Sequence, residues 1–300
     1  MKFDAVYIVR CSLFFVSVVI VAINGYELLA GGGYASGARF FGVAGHPNFL
    51  GVQMAFCCLV GAAHQGQKLL ISKLARYAVI AISIYILYKS GSRTGIIVLF
   101  VGYAAYYTIN NPAKNTLIFA SILSFATLMI VASGFMDSLF TEGVYARNDV
   151  NTRAGVWQDL WDIVKQAPLI GHGYLPDSTA NSWLRGWATV GVIYPIFLLL
   201  IISSFLKQIV KAWGTPYLKH ASMLIGIFFA ITTGSILEGY LFDANSLPIH
   251  AWFISLITSS IYLSLMNGRS SFVGQIKRPA EKFDRRMAAS SQEIALKAQQ

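Results

Sequence analysis

Charged residues are scarce in this chain of 300 residues. Only 12% of its residues are Asp, Glu, Lys or Arg, and 56% are hydrophobic. An average soluble domain has about 25% charged residues and about 45–50% apolar residues. This composition excludes a disordered protein and an ordinary soluble enzyme. Cysteine is also scarce, with three residues that lie in apolar stretches and form no CxxC pair, which argues against a disulfide framework or a cysteine metal site. The sequence therefore predicts a polytopic helical membrane protein.

Long apolar runs are abundant. A bilayer core about 30 Å thick is crossed by roughly 20 apolar helical residues. Eight stretches have this length or come close to it: Val6–Leu29, His46–Ala63, Ser72–Tyr88, Gly95–Ile109, Leu117–Phe135, Trp187–Leu206, Ala221–Leu237 and Pro248–Met266. We predict an all-α fold with about eight transmembrane helices, formed by residues 1–266, and a basic cytoplasmic tail at 267–300.

The net charge of +10 is distributed unevenly between the two sides of these spans. If both termini are inside, the inside segments hold 15 Lys and Arg residues and the outside segments hold seven. Because cytoplasmic loops of membrane proteins are enriched in Lys and Arg, we predict that both termini are cytoplasmic. The basic balance is explained by this orientation, and no nucleic-acid partner is expected.

One outside segment, residues 136–186, is long and polar. Thr152 is a suitable helix cap, and Pro168 ends the pattern that follows it. Between them, apolar residues recur at helical spacing at Val156, Trp157, Leu160, Trp161 and Val164. This spacing predicts an amphipathic helix that lies on the membrane surface or covers the helix bundle.

Cations stand near the outward starts of several predicted helices. Arg39 precedes His46 and Asn48, Arg93 opens the fourth span, Arg153 opens the loop helix, and Arg185 follows Asn181. Free backbone N–H groups, the helix dipole and an arginine together favour phosphate binding. Ordinary helix caps and snorkelling arginines produce a similar pattern. Arg93 is the most suggestive of these residues, because a charge at membrane depth requires a partner.

These residues form motifs that resemble a known family. The motifs are Arg39-x-x-Gly42-x-x-x-His46-Pro47-Asn48, Ser92-Arg93-x-Gly95, Arg153-x-x-x-Trp157, Pro168-Leu169-x-Gly171-x-Gly173 and Asn181. In this order they resemble the O-antigen ligase and polysaccharide polymerase family of bacterial inner-membrane glycosyltransferases. The resemblance implies a GT-C-like fold, a multi-pass protein of the inner membrane, and a reaction at the periplasmic face.

The chain departs from the family pattern at two points. Asn181 and Gly191 keep the family's spacing, but Ala180 occupies the position at which the ligases have a histidine assigned to the catalytic centre. We therefore favour a polymerase over a ligase. Members of the family also have several more spans before the Arg39 region, so the resemblance leads us to expect that this chain is N-terminally short.

The resemblance implies specific partners and roles. The partners are an undecaprenyl-diphosphate-linked glycan donor, a glycan or lipid acceptor, membrane lipids and other polysaccharide assembly proteins. Arg93 and Arg153 are predicted to hold the diphosphate, and His172 or Asp177 to act as the base. The predicted substrate-binding residues are Arg39, His46, Asn48, Asn181 and Arg185. No metal or cofactor is predicted.

Two acidic residues and two other functions remain open at this stage. Glu238 and Asp243 follow the seventh span, where they either bind sugar hydroxyls or face water. A transporter of an anionic lipid or solute would also need arginines in its spans, although we see no internal repeat. A non-catalytic scaffold of a polysaccharide assembly complex would tolerate Ala180.

Overall fold

The structure is a computed structural model that describes residues 5–34, 39–63, 70–111, 152–174, 181–242 and 246–267, with only the backbone described at 70–72 and 152–154. Within these ranges it is almost entirely helical and contains no β-strand, only one antiparallel bridge between Tyr34 and Phe40. The α-helices are α1 (Ala5–Leu29), α2 (Pro47–Ala63), α3 (Leu70–Ser90), α4 (Arg93–Asn110), α5 (Thr152–Gln166), α6 (Ser182–Val190), α7 (Ile193–Lys211), α8 (Pro216–Leu237) and α9 (Leu247–Asn267). Two 3₁₀ turns lie at Gly42–Ala44 and Tyr240–Phe242.

Four of the described helices are long and apolar enough to cross a membrane, namely α1, α7, α8 and α9. Helix α2 is apolar but has only 17 residues. These helices confirm the all-α membrane class. The number of eight spans and the GT-C-like fold remain predictions, and both Leu117–Phe135 and the tail after Asn267 lie outside the described residues.

Helix α8 forms the centre of the bundle. In its most apolar window 72% of the residues are buried, compared with 22% in α1 and 17% in α7. A helix that is apolar on all sides can be buried on all sides, and α8 packs against both α4 and α2. Helix α3 packs against α2, and α1 lies over α2 and α3. The exposed apolar faces of α1 and α7 suit contact with lipid.

Glycines allow α4 to approach its neighbours closely. A Cβ atom added to Gly95 would lie 2.6 Å from the carbonyl oxygen of Gly51 in α2, and one added to Gly226 in α8 would lie 2.8 Å from the carbonyl oxygen of Gly102. Small residues at such contacts let helix backbones approach within membranes. We call this contact between α2, α4 and α8 the glycine seam.

The predicted continuous span Trp187–Leu206 is wrong, because the chain breaks at Gly191 between α6 and α7. Gly191 has φ +86°, a conformation that L side chains rarely adopt. The space that a side chain at Gly191 would need is also occupied, since an added Cβ would collide with the carbonyl oxygen of Leu169. Trp187 therefore belongs to the short helix α6, and the candidate span begins at Ile193.

Candidate functional site at the helix starts

The starts of α2, α4 and α6 meet the end of α8 at one end of the bundle. The Ser92 hydroxyl lies 3.5 Å from the Asn48 carbonyl oxygen, to which it donates. The Thr94 hydroxyl donates to the Glu238 carboxylate over 2.9 Å, and the Ser182 N–H donates to the Glu238 carbonyl over 3.1 Å. We call this group the helix-start junction (residues 46–48, 92–95, 181–185 and 238). It brings together sequence segments that were predicted to face the same side.

Arg39 connects the segment before α2 to the junction. Its Nε donates to the Ser90 carbonyl oxygen over 2.8 Å, and its Nη2 donates to Asn48 Oδ1 over 2.9 Å and to the Gly91 carbonyl oxygen over 3.3 Å. A guanidinium group suits this task because it presents several donors in a rigid plane. Two predicted substrate-binding residues, Arg39 and Asn48, thus bind each other and fix the turn between α3 and α4.

Side chains cap the helices of the junction. His46 Nδ1 accepts the Asn48 N–H over 3.3 Å, Ser92 Oγ accepts the Gly95 N–H over 3.1 Å, and Asn181 Oδ1 accepts the N–H groups of the second and third residues after it, each over 3.0 Å. The residue pattern at these starts allowed either free amides for an anion or ordinary helix caps. Caps satisfy several of them, so anion binding here would depend more on arginine side chains than on the helix ends.

Arginines lie at two of the three helix starts. Arg93 is the first residue of α4 and is half-buried. Arg185 lies one turn into α6, is only 5% exposed, and its Nη1 lies 3.4 Å from the Gly239 carbonyl oxygen. A buried guanidinium needs polar partners, and Gly239 directly follows Glu238. The junction therefore combines two arginines with one buried carboxylate.

Helix α5 covers the bundle, which is one of the two arrangements that its pattern predicted. Leu160 and Val164 are each 1% exposed, and Trp157 packs against a cluster that Ile97 and Val101 of α4 form with Leu237 of α8. Arg153 lies in the first turn of α5, and its side chain is outside the described part of the structure. Its role in diphosphate binding thus remains a prediction. The role of Asp177 as a base also remains a prediction, because Asp177 lies outside the described residues.

The segment after α5 is bonded to the end of α6. The N–H groups of His172 and Gly173 donate to the carbonyl oxygens of Ala188 and Thr189 over 2.8 and 3.0 Å. His172 Nε2 lies 2.9 Å from the Ile163 carbonyl oxygen of α5. Since a carbonyl oxygen only accepts, Nε2 carries a proton, and Nδ1 is the lone-pair nitrogen of the neutral ring. We call these contacts the α5–α6 clamp.

Replacement of His172 by glutamine should separate this clamp from a role in proton transfer. A glutamine amide can also donate to the Ile163 carbonyl oxygen, so His172→Gln should unfold within about 2 °C of the wild type, whereas His172→Ala should lose about 1 kcal/mol. Thermal unfolding in detergent measures both changes. If His172 is the base, His172→Gln should also lose about 10²–10⁴-fold in glycan transfer. Full transfer by a stable glutamine variant would exclude that role.

The position of Glu238 was not predictable from the sequence, which left open whether it binds sugar hydroxyls or faces water. The structure places it at the end of α8 with 2% exposure, so it does not face water. Burial and, secondarily, the neighbouring Glu238 carboxylate raise the pKa of Tyr240 well above its usual value, and the neutral Tyr240 hydroxyl donates to the Ile231 carbonyl oxygen over 2.8 Å. Asp243, considered together with Glu238, lies outside the described residues. The one sequence signal for the burial of Glu238 was the apolar run that ends directly before it.

Among the described residues, no group of three or more His, Cys, Asp and Glu side chains could hold a metal ion. A comparison with curated proteins finds no match. Residues 78–188 match the family model described as O-antigen ligase. This range contains Arg93, Arg153, His172, Asn181 and Arg185, and it ends before Glu238. The match confirms, over residues 78–188, the resemblance to the O-antigen ligase and polymerase family that the motifs in this range indicate.

Proposed function

We propose that this protein polymerises polysaccharide repeat units at the periplasmic face of a bacterial inner membrane. The donor would be a glycan linked to undecaprenyl diphosphate, and the acceptor a hydroxyl group of another glycan. The family match supports a membrane glycosyltransferase of the O-antigen ligase or polymerase type. Polymerisation is favoured over ligation because Ala180 replaces the histidine of the ligases.

The observation that carries this proposal is the convergence of helix starts and arginines at the helix-start junction. Arg93 and Arg185 belong to the range that matches the family, and the junction holds both helix starts against the end of α8. A guanidinium group binds phosphate oxygens in pairs. The junction can therefore supply positive charge where a diphosphate would leave.

The reaction breaks the bond between the anomeric carbon of the donor and a diphosphate oxygen, and the electron pair stays with the diphosphate. A new bond forms between that carbon and the acceptor oxygen, whose proton passes to a base. In this proposal Arg93 and Arg153 stabilise the departing diphosphate, the electrostatic contribution that usually dominates such catalysis, and Arg185 binds the same diphosphate beside Arg93. His172 takes the acceptor proton through Nδ1, and no metal participates.

Binding of undecaprenyl diphosphate tests this proposal. At about 100-fold over Kd, the ligand should stabilise the wild type by roughly 2.7 kcal/mol, and Arg93→Ala should lose this effect. Arg10 offers a matched control, because its guanidinium group bonds to the Ala63 carbonyl oxygen at the far end of α2. Thermal unfolding in detergent is the measurement, and undecaprenol serves as the ligand without diphosphate.

Three outcomes can be distinguished. Stabilisation of the wild type and of Arg10→Gln, with none in Arg93→Ala, supports a donor site at the junction. Equal stabilisation by undecaprenol would assign the effect to the lipid tail and remove the argument for diphosphate recognition. Binding of the glycan-loaded donor without any transfer would favour the non-catalytic scaffold.

A further inference from the structure

A buried carboxylate lies between the two arginine-bearing helix starts. Glu238 is 2% exposed, and its Oε1 accepts the hydroxyl of Thr94, which is fully buried, over 2.9 Å. Thr94 directly follows Arg93 in the first turn of α4. The carboxylate therefore fixes the rotation and depth of the helix turn that carries Arg93.

The backbone of the same residue holds the start of α6. The Glu238 carbonyl oxygen accepts the Ser182 hydroxyl over 2.6 Å and the Ser182 N–H over 3.1 Å. Ser182 Oγ in turn accepts the Leu241 N–H over 3.1 Å. Glu238 thus joins α4, α6 and the turn after α8, and Arg185 lies three residues beyond Ser182.

Joining helices does not by itself require a carboxylate. Burying a charge in a protein interior is costly, and uncharged groups of similar shape often stabilise a core equally well. A fixed negative charge beside two cationic helix starts would have a specific use if it kept the turns that carry the arginines in place before an anionic ligand arrives. Preorganised charges of this kind need no rearrangement during the reaction.

We propose that Glu238 is a positioning residue of the donor site, which fixes the first turns of α4 and α6 so that Arg93 and Arg185 bind one diphosphate together. This inference rests on the proposed function. Glu238 acts through Thr94 and Ser182 and does not touch the donor itself.

Variants of Thr94 and Glu238 test the proposal in binding of undecaprenyl diphosphate. A hydrogen bond to a charged group contributes about 1.5–3 kcal/mol, so Thr94→Val should weaken binding about tenfold or more. Thr94→Ser keeps the hydroxyl and should bind within about threefold of the wild type. Glu238→Gln keeps the shape but loses the charge, so it should also weaken binding about tenfold.

Ser222 offers the matched control. Its hydroxyl accepts Asn110 Nδ2 over 2.9 Å and joins the same two helices, α4 and α8, at their other ends. Ser222→Ala should lower the unfolding temperature about as much as Thr94→Val but leave the Kd for undecaprenyl diphosphate unchanged. If Glu238 has a purely structural role, the affinity for undecaprenyl diphosphate should instead fall in proportion to the unfolding temperature in all of these variants, including Ser222→Ala.

A double variant of Glu238 and Arg93 separates an effect on binding from an effect on stability. If Glu238 acts through Arg93, Glu238→Gln should weaken binding much less in an Arg93→Ala background than in the wild type. Wild-type affinity in both Thr94→Val and Glu238→Gln would overturn the inference and leave the donor site intact. If the wild type itself does not bind undecaprenyl diphosphate, the proposed function fails and this inference fails with it.

Discussion

Gly95→Ala should destabilise the protein strongly, although it adds one methyl group. The new Cβ would lie 2.6 Å from backbone atoms of Gly51 and 2.6 Å from the Leu87 side chain. Backbone atoms of a packed helix cannot move aside locally, so α2 and α4 must separate. Overpacking of this kind costs typically about 1–3 kcal/mol, and here it acts on the helix that contacts both α2 and α8. The midpoint of thermal unfolding in detergent measures the loss.

Gly155→Ala is the matched control for this change. Gly155 also lies in a helix, but a Cβ there would meet no atom of the described residues within 4 Å. Alanine is preferred over glycine in helices by about 0.5–1 kcal/mol, so this variant should be as stable as the wild type or more stable. Equal stability of both variants would show that α2 and α4 do not approach each other closely at Gly95.

Arg39→Lys should be almost as damaging as Arg39→Ala, even though it keeps the positive charge. Lysine cannot reproduce the fork that bonds to Ser90, Gly91 and Asn48 together. Each buried acceptor left without a donor costs about 1–3 kcal/mol. The turn that leads into Arg93 would lose its support, so the unfolding temperature and the affinity for undecaprenyl diphosphate should both fall. Thermal unfolding with and without this ligand measures both changes.

Lys89 provides the control for charge alone. Its ammonium group lies 5.6 Å from the centre of the Tyr85 ring, and only its backbone takes part in the contact with Phe40. Lys89→Gln removes a cation from the same turn and should change stability by less than about 1 kcal/mol. If Arg39→Lys behaved like the wild type, charge would be the essential property of Arg39 and the three hydrogen bonds would be dispensable.

The helices were predictable from the sequence where one apolar run gives one helix. α1, α2, α8 and α9 fall close to their predicted bounds because the length and polarity of each run determine the result locally. The break at Gly191 was not predictable in this way. Apolar residues continue on both sides of Gly191, and the group that fills its missing side chain, the Leu169 carbonyl oxygen, lies in another segment.

The candidate site shows the same division. Motifs and charge placed the starts of α2, α4 and α6 on one side, and the structure brings them together. The residues of the contact between Thr94 and Glu238 are 144 positions apart in the sequence. No local pattern predicts that the end of α8 contacts the starts of α4 and α6. The capping alternative is confirmed for His46, Ser92 and Asn181, and it was predictable because a cap needs only neighbouring residues.

The glycine seam also limits the routes by which a molecule could cross this protein. A permeation pathway needs a gap wide enough for its solute, lined by side chains that can move aside. Along the contact of α4 with α2 and α8, backbones approach so closely that even a single methyl group does not fit at Gly95 or Gly226. A conduit cannot run through that contact without prising the three helices apart. A substrate held at the helix-start junction could therefore not cross the membrane between α4 and either of these two helices.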